Sequence, residues 1–242
     1  MAIIGFGSED DIQWQCGASL ISFEFVLTAA HCLYSLVNGP ARYVRVGDLD
    51  ISTETDRAEF QQFSVKRGIP HPDYLAPSRY HDIALIELDR QAIKTEFVAP
   101  ACLDTVRFHE EEQMIATGWG KTSFAGDISS HLLKINLDLV PNDECRKFFR
   151  NTPKEFLDHG IDDEMQICAG GGPLQDTCQG DSGGPLQVLG DNQVYTITGV
   201  TSFGKACGIS KSPGIYTRIF NYLTWIEDTV WPIDQRDKPI DL

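Results

Sequence analysis

The sequence predicts an all-β fold, and three observations support this prediction. Short apolar or alternating runs are separated by clusters of Gly, Pro, Asp and Asn, which is typical of strands joined by turns. Within residues 194–200, Val and Thr alternate with Tyr, Ile and Gly, as in a strand with two unlike faces. Helical spacing occurs in two places only. The strand-like runs lie at residues 17–28, 43–49, 62–66, 83–88 and 194–202.

The two predicted helices are short and lie late in the chain. Residues 141–144 (PNDE) start a capped stretch that continues to Phe149, and Tyr222, Ile226 and Val230 fall on one face of a final helix. The polar stretch 104–113, with its run of three Glu, is either the junction of two similar halves or a solvated loop. The predicted divisions are residues 1–103, residues 104–219, a C-terminal helix over 220–231 and a tail over 232–242.

Composition and charge limit the classes of function. The 242 residues are 42% hydrophobic and 23% charged, an ordinary globular composition that excludes collagen, coiled coil and low-complexity disorder. No apolar run approaches the roughly 20 residues of a membrane-spanning helix. The 20 basic and 35 acidic residues give a net charge of −15, which repels phosphate backbones. We therefore expect no nucleic acid or membrane as a partner, and cationic partners fit better.

The cysteines bear on the compartment. Seven are present and none forms a CxxC pair, which argues against a zinc ribbon or a thioredoxin-type redox motif. Disulfides, and therefore secretion to the extracellular space, are the better interpretation. Residues 1–7 lack the charged and long apolar regions of a signal peptide, so we expect any export signal upstream of this sequence.

Three segments carry residues of chemical interest, namely LTAAHC at 27–32, YHDIAL at 80–85 and DTCQGDSGGPL at 176–186. They supply His31, Asp82 and Ser182 in chain order. A serine hydroxyl is a weak nucleophile at neutral pH and needs an imidazole as its base, and a carboxylate on the other ring nitrogen fixes the tautomer. Each residue alone has an ordinary structural explanation. Together they are a candidate nucleophile, base and orienting acid.

These segments, in this order, resemble the trypsin-like (chymotrypsin-fold) serine peptidases. The segments WQCGASLI at 14–21, TGWG at 117–120 and PGIYT at 213–217 also match family landmarks in order, so the resemblance covers nearly the whole chain. It implies two six-stranded antiparallel β-barrels with the site between them, a short intermediate helix and a C-terminal helix. The sequence looks most like the catalytic domains of arthropod clip-domain proteases of immune and developmental cascades.

The resemblance also implies a role for each residue. His31 is the general base, Asp82 orients it, and Ser182 is the nucleophile, while the backbone N–H groups of Gly180 and Ser182 form the oxyanion hole. The general template for such triads is itself drawn from this family, so these roles are taken over from it. His81 competes with His31 as the base, but it lies outside the family's AAHC landmark.

A primary pocket is implied in the same way. The resemblance places Asp176 at its base, with Gly204 and Gly214 on its walls. A carboxylate desolvated in a narrow slot favours a cationic substrate side chain, so we predict cleavage after Arg or Lys. An Asp that is ion-paired internally is the alternative. Whether the hydroxyl of Thr177 favours Arg over Lys stays open.

The edge beside the pocket is expected at residues 202–204. Ser202, Phe203 and Gly204 would pair with the substrate backbone as an added strand. The family more often has Trp where Phe203 stands, which leaves open the preference for the preceding substrate residues.

The resemblance implies three disulfides and one remaining cysteine. In multi-domain relatives, a Cys in a similar PACL context bridges to an upstream light chain or pro-domain, so we predict an interchain disulfide at Cys102. A buried free thiol is the alternative. The implied pairs are Cys16 with Cys32, Cys145 with Cys168, and Cys178 with Cys207.

Two further expectations concern activation and ions. In the family, a newly freed N-terminal ammonium pairs with the Asp that precedes the nucleophile, here Asp181, so we expect activation to depend on residues upstream of this sequence. No cofactor is required. Asp48 and Glu59 lie in an acidic loop where some relatives hold Ca²⁺, although a solvated acidic turn is the preferred interpretation.

The predicted function is therefore a secreted serine endopeptidase that cleaves after Arg or Lys in selected proteins and activates another zymogen of an extracellular cascade. Protein protease inhibitors are expected as further partners. The alternative is a non-catalytic homologue that acts as a cascade adaptor. Such homologues usually replace the nucleophile, which is intact here as Ser182. A broadly digestive enzyme fits less well, because Cys102 implies a retained partner chain.

Overall fold

The structure is a computed structural model of the chain. It describes residues 1–53, 58–108, 113–121, 127–172, 180–190, 194–204 and 212–232.

The first half of the chain forms a closed antiparallel barrel. Its strands follow the order β1-β2-β3-β8-β7-β6, and a separate two-stranded pair, β4 and β5, stands outside the barrel. The barrel encloses a core of aliphatic and aromatic side chains. The strands are β1 (Ala2–Ser8), β2 (Asp11–Leu20), β3 (Phe25–Thr28), β4 (Tyr34–Ser35), β5 (Gly39–Pro40), β6 (Tyr43–Val46), β7 (Gln61–Pro70) and β8 (Ala84–Leu88).

One predicted strand is two strands in the structure. The apolar run at 17–28 is divided between β2 and β3, which pair with each other in antiparallel register. The hydroxyl of Ser22 accepts hydrogen bonds from the backbone N–H groups of Glu24 (3.3 Å) and Phe25 (3.0 Å), and this closes the turn. A serine that bonds to the backbone in this way favours a turn over a continuous strand.

The second half forms a seven-stranded sheet in the order β13-β10-β11-β12-β15-β14-β9, and a further pairing of β13 with β14 closes six of the strands into a second barrel. The prediction of two six-stranded antiparallel barrels is therefore confirmed. β9 lies outside this barrel and pairs with β14 in parallel. The strands are β9 (Cys102–Leu103), β10 (Gln113–Gly118), β11 (Leu133–Val140), β12 (Gln166–Ala169), β13 (Pro185–Leu189), β14 (Tyr195–Phe203) and β15 (Gly214–Arg218).

β14 differs from its prediction in burial. The alternation in its sequence suggests two unlike faces, yet Ile197 through Ser202 are all buried, and Ile197 and Val200 pack in the core that the first barrel encloses. Thr198, Thr201 and Ser202 therefore bring hydroxyl groups into the interior. Two of these hydroxyls contact the segments that carry the site.

The two helices lie where the sequence predicts them. Helix α1 (Asn142–Phe149) has Pro141 at its N-cap and no side-chain cap hydrogen bond. Helix α2 (Leu223–Val230) buries Ile226 and Val230 in the same core that the first barrel encloses. The end of the chain therefore packs back on the first barrel. Within the described ranges, no helix is long and apolar enough to cross a membrane.

Candidate active site

His31 is held by the end of a barrel strand and by a disulfide. It lies in a short 3-10 helix (Ala30–Leu33) that follows β3, and its neighbour Cys32 is bonded to Cys16 on β2. The backbone N–H of His31 donates to Oδ1 of Asp82 at 3.0 Å, and its ring Nδ1 lies 2.8 Å from Oδ2 of the same carboxylate. Because a carboxylate only accepts, Nδ1–H donates to Asp82, and Nε2 is the ring nitrogen left to face the serine turn.

Asp82 is fully buried and hydrogen-bonded from both barrels. The hydroxyl of Ser202 on β14 donates to Oδ2 of Asp82, and the hydroxyl of Thr217 on β15 donates to the Asp82 carbonyl at 2.9 Å. Burial by itself would raise the pKa of Asp82. The charge of His31 and the hydrogen bonds from His31 and Ser202 outweigh that effect and hold the pKa below its usual value. The carboxylate therefore stays ionised although no water reaches it.

His81, the competing base of the sequence analysis, is turned away from this pair. Its backbone has a φ of 54°, in the left-handed region that non-glycine residues seldom adopt. Its ring stacks on His71 with centroids 5.2 Å apart, and its Nδ1 lies 3.2 Å from the hydroxyl of Tyr222. His31 is thus the histidine that shares its ring proton with Asp82.

Ser182 lies in a tight turn that is seated on the first barrel. The Ser182 carbonyl accepts a hydrogen bond from the backbone N–H of Gly17 on β2 at 2.8 Å. Within the turn, Gly184 N–H donates to the Asp181 carbonyl at 2.9 Å, and Gly183 N–H donates to the Thr201 carbonyl of β14 at 2.8 Å. Backbone groups rather than side chains therefore fix the position of the serine.

Two glycines in this turn have conformations that exclude other residues. Gly180 has a φ of +102°, and a Cβ built there would lie 2.9 Å from the Cα of Gly120. Gly183 has a φ of +79°, and a Cβ there would lie 2.2 Å from Thr28 Oγ1 and 2.5 Å from the Gly17 carbonyl oxygen. The positive φ and the close backbone approach both require glycine.

The serine and the histidine meet around the Cys16–Cys32 disulfide. Cys32 Sγ lies 3.5 Å from the Ser182 carbonyl oxygen and 3.7 Å from His31 Nε2. Among the described residues, the Ser182 hydroxyl makes no hydrogen bond to His31. Catalytic hydrogen bonds are often long in the absence of substrate and shorten when it binds. The arrangement thus places an oriented base beside a serine in a glycine-rich turn.

The family follows from the whole-chain comparison. The family model described as Trypsin matches residues 1–226. The chain belongs to the trypsin family. Relatives within it include serine protease snk of Drosophila melanogaster, which is 43% identical over 92% of this chain and 51% of its own length. Serine protease Hayan of the same fly is 39% identical over 96% of this chain and 37% of its own length.

A mosquito serine protease is also similar to nearly the whole chain. CLIP domain-containing serine protease C9 of Anopheles gambiae is 38% identical over 95% of this chain and 64% of its own length. This trypsin-family chain thus spans between about a third and two thirds of the length of these relatives.

Only some of the residues predicted for the primary pocket lie among the described residues. A Cβ built on Gly204 would lie 3.8 Å from the Cα of Gly214, so the two predicted wall residues face each other across a short backbone distance. Ser202 is buried against Asp82, and Phe203 ends β14 with its ring half-buried. Asp176, Thr177, Cys178 and Cys207 lie outside the described residues.

The remaining predictions concern the cysteines and Asp181. The disulfides Cys16–Cys32 and Cys145–Cys168 are present, and Cys102 is exposed with a free thiol. Asp181 accepts a hydrogen bond from the Gly120 N–H at 2.9 Å.

The calcium candidates Asp48 and Glu59 differ in their burial. Asp48 is buried, with Oδ2 bonded to Arg45 at 3.1 Å and Oδ1 accepting the Asp50 N–H at 3.1 Å, whereas Glu59 is exposed. The guanidinium of Arg45 supplies the positive charge that Asp48 needs as a buried carboxylate.

Sequence reasoning missed two contributions to this trypsin-family site. It assigned Ser202 only to substrate binding, although the Ser202 hydroxyl donates to Asp82, and it gave no role to Thr217. Both are hydroxyl residues that are buried in their strands. Their burial is the signal that could have identified them, because a buried hydroxyl needs a hydrogen-bond partner.

Proposed function

We propose that this protein is a secreted serine endopeptidase that cleaves after Arg or Lys in selected protein substrates and activates another zymogen of an extracellular cascade. The observation that carries the proposal is the His31–Asp82 pair, with Nδ1 and Oδ2 2.8 Å apart, next to an intact Ser182 in a turn seated on the same barrel. The N–H groups of Gly180 and Ser182 would receive the oxyanion.

Specificity and location have separate support. Asp176 in the sequence, and the absence of side chains at the neighbouring Gly204 and Gly214, support a slot for a cationic side chain. The Cys16–Cys32 and Cys145–Cys168 disulfides support an oxidising, extracellular compartment. The name CLIP domain-containing serine protease C9 supports an upstream regulatory domain, for which the exposed Cys102 thiol offers an attachment point.

The test is steady-state hydrolysis of matched peptides that end in Arg, Lys or Phe, with the full-length natural protein after activation. We expect cleavage of the Arg and Lys peptides alone. Ser182→Ala should lower kcat by on the order of 10⁶-fold, because the nucleophile is removed while the fold is kept.

Two outcomes would contradict the proposal. Cleavage of the Phe peptide as fast as the Arg peptide would overturn the assigned pocket. Absence of cleavage by a correctly activated protein would instead favour the non-catalytic adaptor.

A further inference from the structure

A wall of aromatic rings and one arginine stands beside the candidate substrate edge. Phe203 follows Ser202 at the end of β14, and its ring meets the ring of Phe149 on α1 edge-on at 5.7 Å. The guanidinium of Arg79 lies over the Phe203 ring at 5.7 Å from its centroid and over the Phe156 ring at 5.6 Å. These distances are within the range of cation–π contacts.

The backbone beside this wall is open to an extended peptide. β14 pairs with β13 from Tyr195 to Val200, and its Thr201 pairs with Gly183 and Gly184 of the serine turn. On that side, Ser202 and Phe203 have no strand partner among the described residues. A peptide that adds to this edge would run directly from Ser182 past the Phe203 ring.

Arg79 is anchored through its backbone. Its N–H donates to the Phe156 carbonyl at 2.9 Å, and its carbonyl accepts from the side chain of Gln166 at 3.2 Å. Residues 156 and 166 both belong to the second half of the chain, so these two hydrogen bonds hold the Arg79 backbone against that half.

The guanidinium of Arg79 has no polar partner within the part of the chain that the structure describes. The other arginines that stack on aromatic rings there also bond an acceptor: Arg45 to Asp48, Arg90 to Asp89, Arg107 to Glu164, and Arg218 to backbone carbonyls. The guanidinium of Arg79 thus contacts two aromatic rings while, among the described residues, its N–H groups make no hydrogen bond.

The N–H groups of Arg79 indicate the chemical class of its ligand. A guanidinium offers a fork of N–H groups that matches a carboxylate, and its contacts with aromatic rings leave these N–H groups available. We propose that Arg79, with Phe156 and Phe203, forms a subsite that binds an acidic side chain of the substrate at one of the positions that precede the cleaved bond. The proposal rests on the proteolytic function proposed above.

The test compares peptides that end in Arg and carry Asp, Asn or Lys at each of the three preceding positions in turn. With the activated natural protein at low salt, we expect kcat/KM at one position to be about fivefold higher for Asp than for Asn, and lowest for Lys. The change should lie mainly in KM and should shrink as salt rises, because an exposed ion pair is screened.

Three variants separate a binding role from a structural one. Arg79→Gln should abolish the preference for Asp, and Arg79→Lys should restore part of it. Arg42→Gln removes the same charge from an exposed site on the first barrel and should leave the preference unchanged. The melting temperature of each variant checks that the fold is kept, since the backbone contacts of Arg79 do not depend on its side chain.

The outcomes distinguish this subsite from the function on which it rests. Cleavage of all the peptides with no preference for Asp, or a preference that survives in Arg79→Gln, would overturn the subsite and leave the peptidase standing. Failure of the wild-type protein to cleave any peptide would overturn the peptidase, and the subsite with it.

Discussion

The two halves of the candidate site are held in different ways. His31 and Asp82 of the first half are fixed by side chains, since the imidazole, the carboxylate and the Ser202 hydroxyl bond to one another. Ser182 of the second half is fixed by backbone groups, through Gly17, Gly183 and Gly184. The side-chain half depends on charge and hydrogen-bond chemistry. The backbone half depends on the absence of Cβ atoms.

The largest expected effect is at the carboxylate of the first half. Asp82→Asn keeps the shape of the side chain but can present an N–H to His31 Nδ1, which favours the wrong tautomer. We expect kcat for an Arg peptide to fall by about 10⁴-fold, the magnitude known for this change in the family's template enzyme. Steady-state kinetics would measure it.

The same variant also tests the division between the halves. Because Asn keeps the shape of Asp and an oxygen that can accept hydrogen bonds, the melting temperature of Asp82→Asn should change far less than its rate does. A loss of folding in proportion to the loss of activity would show that the carboxylate is mainly structural.

The next effect is expected in the backbone half. Gly183→Ala places a Cβ 2.2 Å from Thr28 Oγ1 at a φ of +79°, whereas Gly39→Ala has almost the same φ, +78°, with no atom within 4 Å. Both variants incur the left-handed penalty of about 1 kcal/mol. Gly183→Ala should lose about 2 to 3 kcal/mol more from overpacking, as measured by urea unfolding. Equal losses would show that the turn can shift away from the first barrel.

The smallest expected effect is the loss of the Ser202 hydrogen bond to Asp82, and its dependence on pH shows how much of it comes from the charge of the carboxylate. Ser202→Ala removes one hydrogen bond to the Asp82 carboxylate, at a cost of about 1.5 kcal/mol at neutral pH. Because the pKa of Asp82 is held low in the folded protein, that stabilisation is present above the carboxyl's unfolded pKa and is lost as the pH falls through its folded pKa. The gap between wild type and variant should therefore close in acid.

A surface pair provides the control for this variant. The hydroxyl of Ser52 donates to Oδ1 of Asp50 at 2.7 Å on the exposed side of the protein. Ser52→Ala should change the free energy of unfolding far less than Ser202→Ala does. If the two variants lose equally, burial of Asp82 contributes nothing to the strength of its hydrogen bond.

Local patterns in the sequence predicted the all-β class and both helices, and the resemblance carried by the three motifs implied the two barrels. The turn at Ser22 that divides β2 from β3 escaped prediction, since a serine within a mostly apolar run looks like part of a strand. The Ser202–Asp82 hydrogen bond and the Arg79–Phe203 stack also escaped. These contacts join residues more than a hundred positions apart, and only the packing of one barrel against the other brings them together.

The hydrogen bond from Gly17 to Ser182 has a consequence for how the candidate site is assembled. Gly17, His31 and Asp82 belong to the first half of the chain, whereas Ser182 and its supporting strand β14 belong to the second half. The backbone contact that seats the serine turn and the Ser202 hydroxyl that bonds Asp82 both cross from one half to the other. The candidate site is therefore complete only when the two halves have folded against each other.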